Sequence, residues 1–304
     1  PCAILEAIHH RYGGRIDSVK PAPFVYHAPR TLDEALAALG EVGHDGKILA
    51  GGQSLIPMLS MRLATPAHLI DINGVAGLDT IEVADGYVRV GACVRHAQLE
   101  RSEEAYAALP LLRQALRNVA HPAIRNRGTT VGSIAHADAA GEMPSVAVLT
   151  DAVMEVCGPA GSREIAAGDF FTGPLETTLG ADELVTAVRF GRFPSNTSTG
   201  VVESARRSGD YAVAGVALAL TSGDGAISAA RASFVSVTDV PDVLDLTEVL
   251  SGATAEDVAA RADGVIEAVR AHVTPESDIH ASADYRRMLA AELTRRLIAE
   301  VISR

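Results

Sequence analysis

The sequence contains no tryptophan, and aromatic residues make up only 4% of it. Any hydrophobic core is therefore built from aliphatic side chains, for which the 48% content of hydrophobic residues is ample. Basic residues are outnumbered, 26 against 38 acidic ones, and the formal net charge is −12. Proteins that bind nucleic acid present a basic surface, so this balance argues against a nucleic-acid partner.

Cysteine is also scarce, with only Cys2, Cys93 and Cys157 and no CxxC pair. Three scattered cysteines predict neither a disulfide framework nor a metal site, and they fit a reducing cytoplasm. A conventional iron–sulfur cluster takes four cysteine ligands, so we do not expect this chain to hold one alone. No apolar run has membrane-spanning length, and the first twenty residues lack the layout of a signal peptide. We therefore expect a cytoplasmic protein without a membrane span.

The segment up to about residue 195 alternates between strand and helix patterns. A helix is predicted over 30–40, because Thr31 is a suitable N-cap and Glu34 completes a capping box. Further strands are predicted at 47–52, 67–72, 79–93 (a hairpin about Asp85-Gly86) and 182–191, with helices after Pro57 and over 97–119, the second broken near Pro110. This order indicates two glycine-rich α+β units.

A linker is predicted at 192–200, where Pro, Ser, Asn, Thr and Gly occur together. The chain beyond it predicts an antiparallel meander followed by helices. The strands are placed at 201–208, 212–222 and 226–237, and the helices at 246–251, 254–271 and 282–303. In the last helix the apolar residues Met288, Leu289, Leu293 and Leu297 are predicted to face inward.

Two glycine-rich turns are candidate anion sites. The first is "AGGQSL" (50–55), and the second lies within "NRGTTVGSIAHAD" (126–138). Glycines permit positive φ and bring bare backbone N–H groups close to an anion, and Gln53 and Ser54 add side-chain donors. Neither turn matches a Walker A or a dinucleotide G-x-G-x-x-G motif, so the spacing alone leaves open a diphosphate clamp or two ordinary tight turns.

Four motifs in order resemble the FAD-binding medium subunit of the molybdenum hydroxylases, the xanthine dehydrogenase and carbon monoxide dehydrogenase family. They are "ILAGGQSLIPMLSMRLATPAHLIDI", "HPAIRNRGTTVGSIAHADAAGEMP", "ARRSGDYAVAGVALAL" and "DIHASADYRRMLAAELTRRLI". The resemblance runs from about residue 22 to residue 302. It implies an α+β protein with a PCMH-type FAD-binding fold of two α/β subdomains, plus a C-terminal α+β domain with an antiparallel sheet and helices.

The resemblance also implies boundaries and partners. The expected parts are an N-terminal extension (1–21), two FAD-binding subdomains (22–80 and 81–195) and a C-terminal domain (200–304). FAD is expected in this chain, and molybdopterin and [2Fe-2S] clusters in a large and a small partner subunit, assembled as a dimer of heterotrimers. Because substrate is then oxidised elsewhere, no catalytic acid–base pair is expected here. The alternatives are a free-standing PCMH-type flavin oxidoreductase and a flavin-free nucleotide-binding or scaffold module.

The family's FAD contacts carry over to this sequence position by position. The implied cofactor-binding residues are Ile48, Leu49, Ala50, Gly51, Gly52, Gln53, Ser54, Leu55, Val119, Ala120, Thr129, Thr130, Val131, Gly132, Ser133, Glu142, Leu184, Val185 and Tyr211. Both turns are expected to hold the diphosphate, and Glu142 is expected to contact the sugar chain. The flavin ring is expected to lie near residues 119–120 and 184–185. Val131 departs from the family, which has glycine there. A β-branched residue would be strained at positive φ, so we expect Val131 to adopt a permitted conformation and only Gly132 to need a bare backbone.

Five further residues each have two readings. His121 and His136 either include a proton donor to flavin N5 or a covalent attachment point for the flavin, or they hydrogen-bond within the turn. Tyr211 either gates the flavin or packs in the core. Arg206 and Arg207 either form a basic patch that faces a partner or ion-pair with acidic neighbours.

Overall fold

The computed structural model of the chain describes residues 20–303. The predicted N-terminal extension thus lies almost entirely outside the described residues, as does Cys2. Within them the chain forms three main sheets and a small two-stranded one, flanked by helices. The predicted fold class, α+β, is confirmed. No helix in this part of the chain is long and apolar enough to cross a membrane.

The elements are numbered in chain order. The helices are α1 (Leu32–Val42), α2 (Leu55–Ser60), α3 (His96–Arg101), α4 (Glu103–Ala108), α5 (Pro110–Leu116), α6 (Pro122–Arg125), α7 (Thr130–His136), α8 (Glu142–Leu149), α9 (Ala167–Phe170), α10 (Thr247–Leu250), α11 (Ala262–His272) and α12 (Ala283–Ile302). The strands are β1 (Val25–His27), β2 (Gly46–Leu49), β3 (His68–Asp71), β4 (Ile81–Ala84), β5 (Tyr87–Gly91), β6 (Val153–Gly158), β7 (Gly161–Ala166), β8 (Phe171–Gly173), β9 (Glu176–Thr177), β10 (Leu184–Gly191), β11 (Thr197–Ser204), β12 (Ala214–Gly223), β13 (Ala226–Val235) and β14 (Val243–Asp245).

The first sheet is parallel, with strand order β1-β3-β2. Its helix α1 begins as predicted: Thr31 Oγ1 accepts from the Glu34 N–H at 3.2 Å, and the Glu34 carboxylate accepts from the Thr31 N–H. Helix α2 begins at Leu55, so the predicted start after Pro57 was wrong. A proline is tolerated in the first turn because its missing N–H would have no partner there. Strand β1 is only three residues long and was not predicted.

The second sheet is antiparallel, with order β4-β5-β10-β6-β7. The predicted hairpin turns at Gly86, whose φ of +88° suits the turn. The predicted helix over 97–119 breaks at Pro110 as predicted. It also breaks at Ser102, which caps α4 by accepting from the Ala105 N–H at 3.2 Å, so three short helices form. Central strand β10 has an irregularity between Val185 and Ala187, at the end that reaches the cavity described below.

The third sheet is an antiparallel meander, β11-β12-β13-β14. Strand β11 begins at Thr197, inside the predicted linker, and ends at Ser204. The strand predicted at 201–208 thus lies four residues earlier in the chain. Helix α11 begins only at Ala262, because residues 258–261 form a 3-10 turn.

Alternate residues of the third sheet enter two different cores. Ala217 and Ala219 join the core of the first two-thirds of the chain, whereas Val216 and Leu218 join a second core with α11 and α12. Leu293 and Leu297 of α12 are buried as predicted, but Met288 is 39% exposed and was wrongly placed inward. The buried residue on that turn is Arg286, whose guanidinium donates to backbone carbonyls.

Candidate cofactor-binding site

A cavity of about 970 Å³ runs along the end of β2, the start of α7 and α8, and the start of β10. Residues 209–211, between β11 and β12, line it as well. Cofactor and ligand sites in proteins typically measure roughly 300–1,000 Å³, so the cavity is large enough for a sizeable ligand.

The first glycine turn forms one wall of this cavity. A Cβ placed on Gly51 would lie 2.6 Å from Arg127 O and 2.6 Å from the Gly128 Cα, so this position has no room for a side chain. Gly52 has a φ of +73°, which disfavours other residues. Glycine is therefore needed at the two positions for different reasons. At Gly51 it permits the close approach of a second backbone, and at Gly52 it permits the turn.

The second turn is the backbone that approaches. Thr129 caps α7 by accepting from the Gly132 N–H at 3.1 Å, and Gly132 lies near the Ala50 side chain. Val131 lies within α7, is 2% exposed and does not have positive φ. The residue that departs from the family pattern is thus unstrained, and it packs into the core.

Asn73 and Arg95 tie the two turns together. The Asn73 side-chain amide donates to Ala50 O at 2.8 Å, and its oxygen accepts from Arg95 Nη2 at 2.5 Å. The other nitrogen, Arg95 Nη1, donates to Arg127 O at 2.7 Å. Sequence reasoning missed both residues, although each is a polar residue close behind a strand that leads to the site.

The exposed backbone of the first turn is suited to an anion. In residues 20–303 the N–H groups of residues 52–55 have no backbone or side-chain acceptor, and all four residues line the cavity. The Gln53 side-chain amide instead donates to Gly51 O at 3.1 Å. Successive N–H groups that converge without a partner make an anion-binding concavity. Unpaired N–H groups at the wall of a cavity are available to an anion such as a diphosphate.

Comparisons with known proteins agree with this geometry. A family model described as "FAD binding domain in molybdopterin dehydrogenase" matches residues 20–192, and one described as "CO dehydrogenase flavoprotein C-terminal domain" matches residues 201–301. The chain belongs to this family of FAD-binding molybdopterin dehydrogenase subunits. The predicted family and the FAD cofactor are thereby confirmed, and the chain is an FAD-dependent oxidoreductase subunit.

Individual relatives match over nearly their whole length. The nicotine 6-hydroxylase medium subunit of Paenarthrobacter nicotinovorans is 42% identical over 92% of this chain and 97% of that relative. The carbon monoxide dehydrogenase medium chain of Hydrogenophaga pseudoflava is 35% identical over 91% of this chain and 96% of that relative. Among solved structures, a chain of reconstituted CO dehydrogenase from Oligotropha carboxidovorans has a TM-score of 0.88 and 33% identity. The match covers 93% of this chain and 99% of that chain.

Most of the predicted FAD-binding residues line the cavity. Those that do so are Ile48, Ala50, Gly51, Gly52, Gln53, Ser54, Leu55, Val119, Ala120, Thr129, Gly132, Ser133, Glu142, Leu184, Val185 and Tyr211. Leu49, Thr130 and Val131 do not. Thr130 is fully buried and its hydroxyl contacts His96 Nδ1 at 3.2 Å. The contact of each residue with FAD remains a prediction.

Two acidic side chains beside the cavity interact electrostatically. Glu142, the first residue of α8, lines the cavity, and burial together with nearby Asp138 raises its pKa to about 7. Glu203 on β11, which sequence reasoning missed, has its pKa raised to about 8 by burial and by Glu142. Its Oε1 is buried without a hydrogen-bond partner in the described structure. Burial therefore favours the protonated form of Glu203.

A buried histidine supports the second turn. Burial and the nearby Arg125 guanidinium lower the pKa of His96 to about 4, so its ring is neutral. A Cβ on Gly128 would lie 2.9 Å from this ring. Across the described residues no group of three or more His, Cys, Asp and Glu side chains is placed to hold a metal ion.

The structure decides between several open readings. Tyr211 is 71% exposed and lines the cavity, so core packing was wrong. His136 also lines the cavity. Arg206 and Arg207 make no ion pair within the described residues, so the predicted pairing was wrong. His121 does not line the cavity, and its ring lies against Gly209 rather than hydrogen-bonding within the turn.

Proposed function

We propose that this chain is the FAD-carrying medium subunit of a heterotrimeric molybdenum hydroxylase. In this proposal it takes electrons from [2Fe-2S] clusters of a small partner subunit and passes them to an external acceptor. Organic substrate is oxidised at a molybdenum cofactor in a large subunit, and two heterotrimers associate. The observation that carries the proposal is the pair of interlocked glycine turns with unpaired N–H groups at the cavity wall.

The chain's own residues bind and orient the cofactor in this proposal. The N–H groups of residues 52–55 would hold the diphosphate, and Glu142 would accept hydroxyl groups of the sugar chain. Val119, Ala120, Leu184 and Val185 would give the flavin ring an apolar wall that excludes water. FAD supplies a redox centre that can exchange electrons with both partners. The binding roles assigned here need no proton transfer by a side chain.

The proposed parts of the chain follow the same division as predicted from the sequence. We propose two FAD-binding subdomains, 22–80 and 81–195, and a C-terminal domain, 200–304. The two relatives named above are medium subunits or chains that match over at least 96% of their length. This supports a subunit over a free-standing flavin oxidoreductase, which would need a substrate domain of its own.

Gly52→Asp tests the placement of the diphosphate. A carboxylate there adds bulk and negative charge beside the unpaired N–H groups, so we expect folded protein that is colourless. The flavin content per chain is measured by absorbance after purification and FAD loading. Gly77→Asp is the matched control, since Gly77 has a φ of +83°, nothing within 4 Å of its Cβ position and no place in the cavity wall. Full flavin content in Gly52→Asp would contradict the placement.

A further inference from the structure

Residues 205–212 connect β11 to β12, and we call them the arm. The base of the arm is fixed. The Val213 N–H donates to Ser204 O at 2.7 Å, and Val213 O accepts from Arg286 Nη1 of α12, also at 2.7 Å. Arg286 is itself 7% exposed and pairs with Asp278. The base therefore cannot shift without breaking these hydrogen bonds.

The tip of the arm is held differently. The Asp210 N–H donates to Arg207 O at 3.1 Å and shapes a turn within the arm. No side chain of the arm makes a hydrogen bond or ion pair to the rest of the described chain. Nevertheless the tip reaches the cavity, where Gly209, Asp210 and Tyr211 form part of the wall. Something other than polar contacts must set its position.

The contact that sets the position of the tip is made by the ring of His121. A Cβ placed on Gly209 would lie 2.3 Å from Cε1 and 2.4 Å from Nδ1 of this ring, so the ring lies directly against the Gly209 backbone. Gly209 also has a φ of +85°. The His121 side chain makes no hydrogen bond in the described part of the chain and does not cap α6. Its contact with the arm is thus one of shape.

The backbone that aims His121 is strained and clamped. Ala120 has a φ of +41°, which is costly for a residue with a Cβ. Arg125 Nη1 donates to both Val119 O at 2.9 Å and Ala120 O at 3.2 Å, and Arg125 Nε pairs with Glu100 at 2.9 Å. Strain of this kind persists only where surrounding contacts enforce it, and it is common at functional sites. Here it turns Val119 and Ala120 toward the cavity and His121 toward the arm.

We propose that His121 is a positioning residue whose ring seats the tip of the arm and so fixes Tyr211 at the mouth of the FAD cavity. The inference rests on the proposed function, because it assigns Tyr211 the task of shielding the bound flavin. Removal of the ring leaves the base of the arm fixed but frees its tip. The flavin and Tyr211 then become more accessible to small solutes.

The test uses the absence of tryptophan from this sequence. Tyr211→Trp places a single tryptophan on the arm of the full chain. In that background His121→Ala, His121→Phe and the control His280→Ala are compared, since His280 is exposed and lies away from the cavity. The acrylamide quenching of the tryptophan is measured with and without FAD, together with its quenching by bound flavin.

We expect His121→Ala to raise the acrylamide quenching constant about twofold or more and to reduce quenching by the flavin, as a released loop tip samples more positions. His121→Phe should restore both values, because a ring of similar size fills the same space. All variants should melt at the temperature of the His280→Ala control, since no hydrogen bond is removed.

Two results would contradict the proposal that His121 positions the tip of the arm. One is unchanged quenching in His121→Ala, and the other is a His121→Phe variant that behaves like His121→Ala. A failure of the proposed function looks different: the wild-type chain, in which Tyr211 is unchanged, would not take up FAD. The acrylamide measurement on the FAD-free chain would still decide whether His121 seats the arm.

Discussion

Glu142 is a single side chain whose environment bears on the binding role proposed for it. It begins α8, faces the cavity and has a pKa raised to about 7 by burial. An ionised carboxylate accepts hydrogen bonds from sugar hydroxyls, whereas the neutral form accepts less well. The protonation of Glu142 near neutral pH should therefore influence the affinity for FAD.

Glu142→Ala should weaken FAD binding by roughly 1–3 kcal/mol, the usual range for a hydrogen bond to a charged group. Because the ionised form is the acceptor, the loss should be larger at about pH 8 than at about pH 6. The dissociation constant is measured by fluorescence titration of FAD-free protein at both values. Glu142→Gln, which keeps an acceptor, should bind FAD with little pH dependence. Equal dissociation constants for Glu142→Ala and wild type at the higher pH would mean that Glu142 does not contact the cofactor.

Strand β11 and helix α12 show how one glycine sets the distance between two elements. A Cβ on Gly200 would lie 2.7 Å from Val301 Cγ2 and 2.8 Å from Leu297 Cδ1, both on buried residues of α12. The helix can approach the sheet this closely only because β11 has no side chain there. The contact joins the third sheet to the helix that buries its outer face.

Gly200→Ala should therefore destabilise the protein by about 1–3 kcal/mol, as added methyl groups do in a packed core. Gly223→Ala provides the control on the neighbouring strand, because nothing lies within 4 Å of its Cβ position. The free energy of unfolding is measured by urea titration of each variant. Equal stability of the two variants would show that α12 shifts outward without cost.

At the scale of the whole molecule, Glu203 lies where the third sheet packs on the FAD-binding part. Burial raises its pKa from 4.5 to about 8, so the folded chain keeps a proton that the unfolded chain loses at lower pH. The free energy of unfolding should therefore fall as pH rises from about 5 to about 8 and then level off. This carboxyl group makes the contact between the two parts sensitive to pH.

Glu203→Gln removes this dependence, since glutamine is neutral throughout. We expect the fall in stability between about pH 5 and about pH 8 to shrink by about 1–3 kcal/mol, less than a full conversion of the pKa shift because neighbours relax. Urea unfolding at both values is compared with the exposed control Glu267→Gln. The same pH slope in Glu203→Gln and wild type would show that Glu203 is already ionised in the folded chain.

For the complete assembly, we predict that the reduction of the flavin by organic substrate depends on the partner subunits. The isolated, FAD-loaded chain should be bleached by a strong artificial reductant but not by candidate purines, N-heterocycles, ketones or carbon monoxide. Addition of the iron–sulfur and molybdenum subunits should restore bleaching by the true substrate. The measurement is flavin absorbance under anaerobic conditions. Stoichiometric bleaching of the isolated chain by an organic substrate would instead favour the free-standing flavoenzyme.

Local chemistry in the sequence was sufficient for several elements and for the two glycine turns that line the cavity. The capping box at Thr31 and the Asp85-Gly86 hairpin are set by neighbouring residues, so they could be predicted without knowledge of the fold. The glycine turns were visible for the same reason. Boundaries failed where distant contacts compete: Thr197 joins β11 because β12 pairs with it, although its own sequence reads as linker.

The tertiary structure alone decided which distant groups meet. Asn73 and Arg95 lock the two turns, Glu203 approaches Glu142, and His121 seats Gly209. Each pair is far apart in sequence and carries no local signal, because its partner is chosen by how the sheets stack and not by neighbouring residues. The sequence by itself thus determined that this chain has two glycine-rich turns. Only the tertiary structure determined that the turns interlock, because it brings the backbone of residues 127–129 so close to Gly51 that a Cβ there would be excluded.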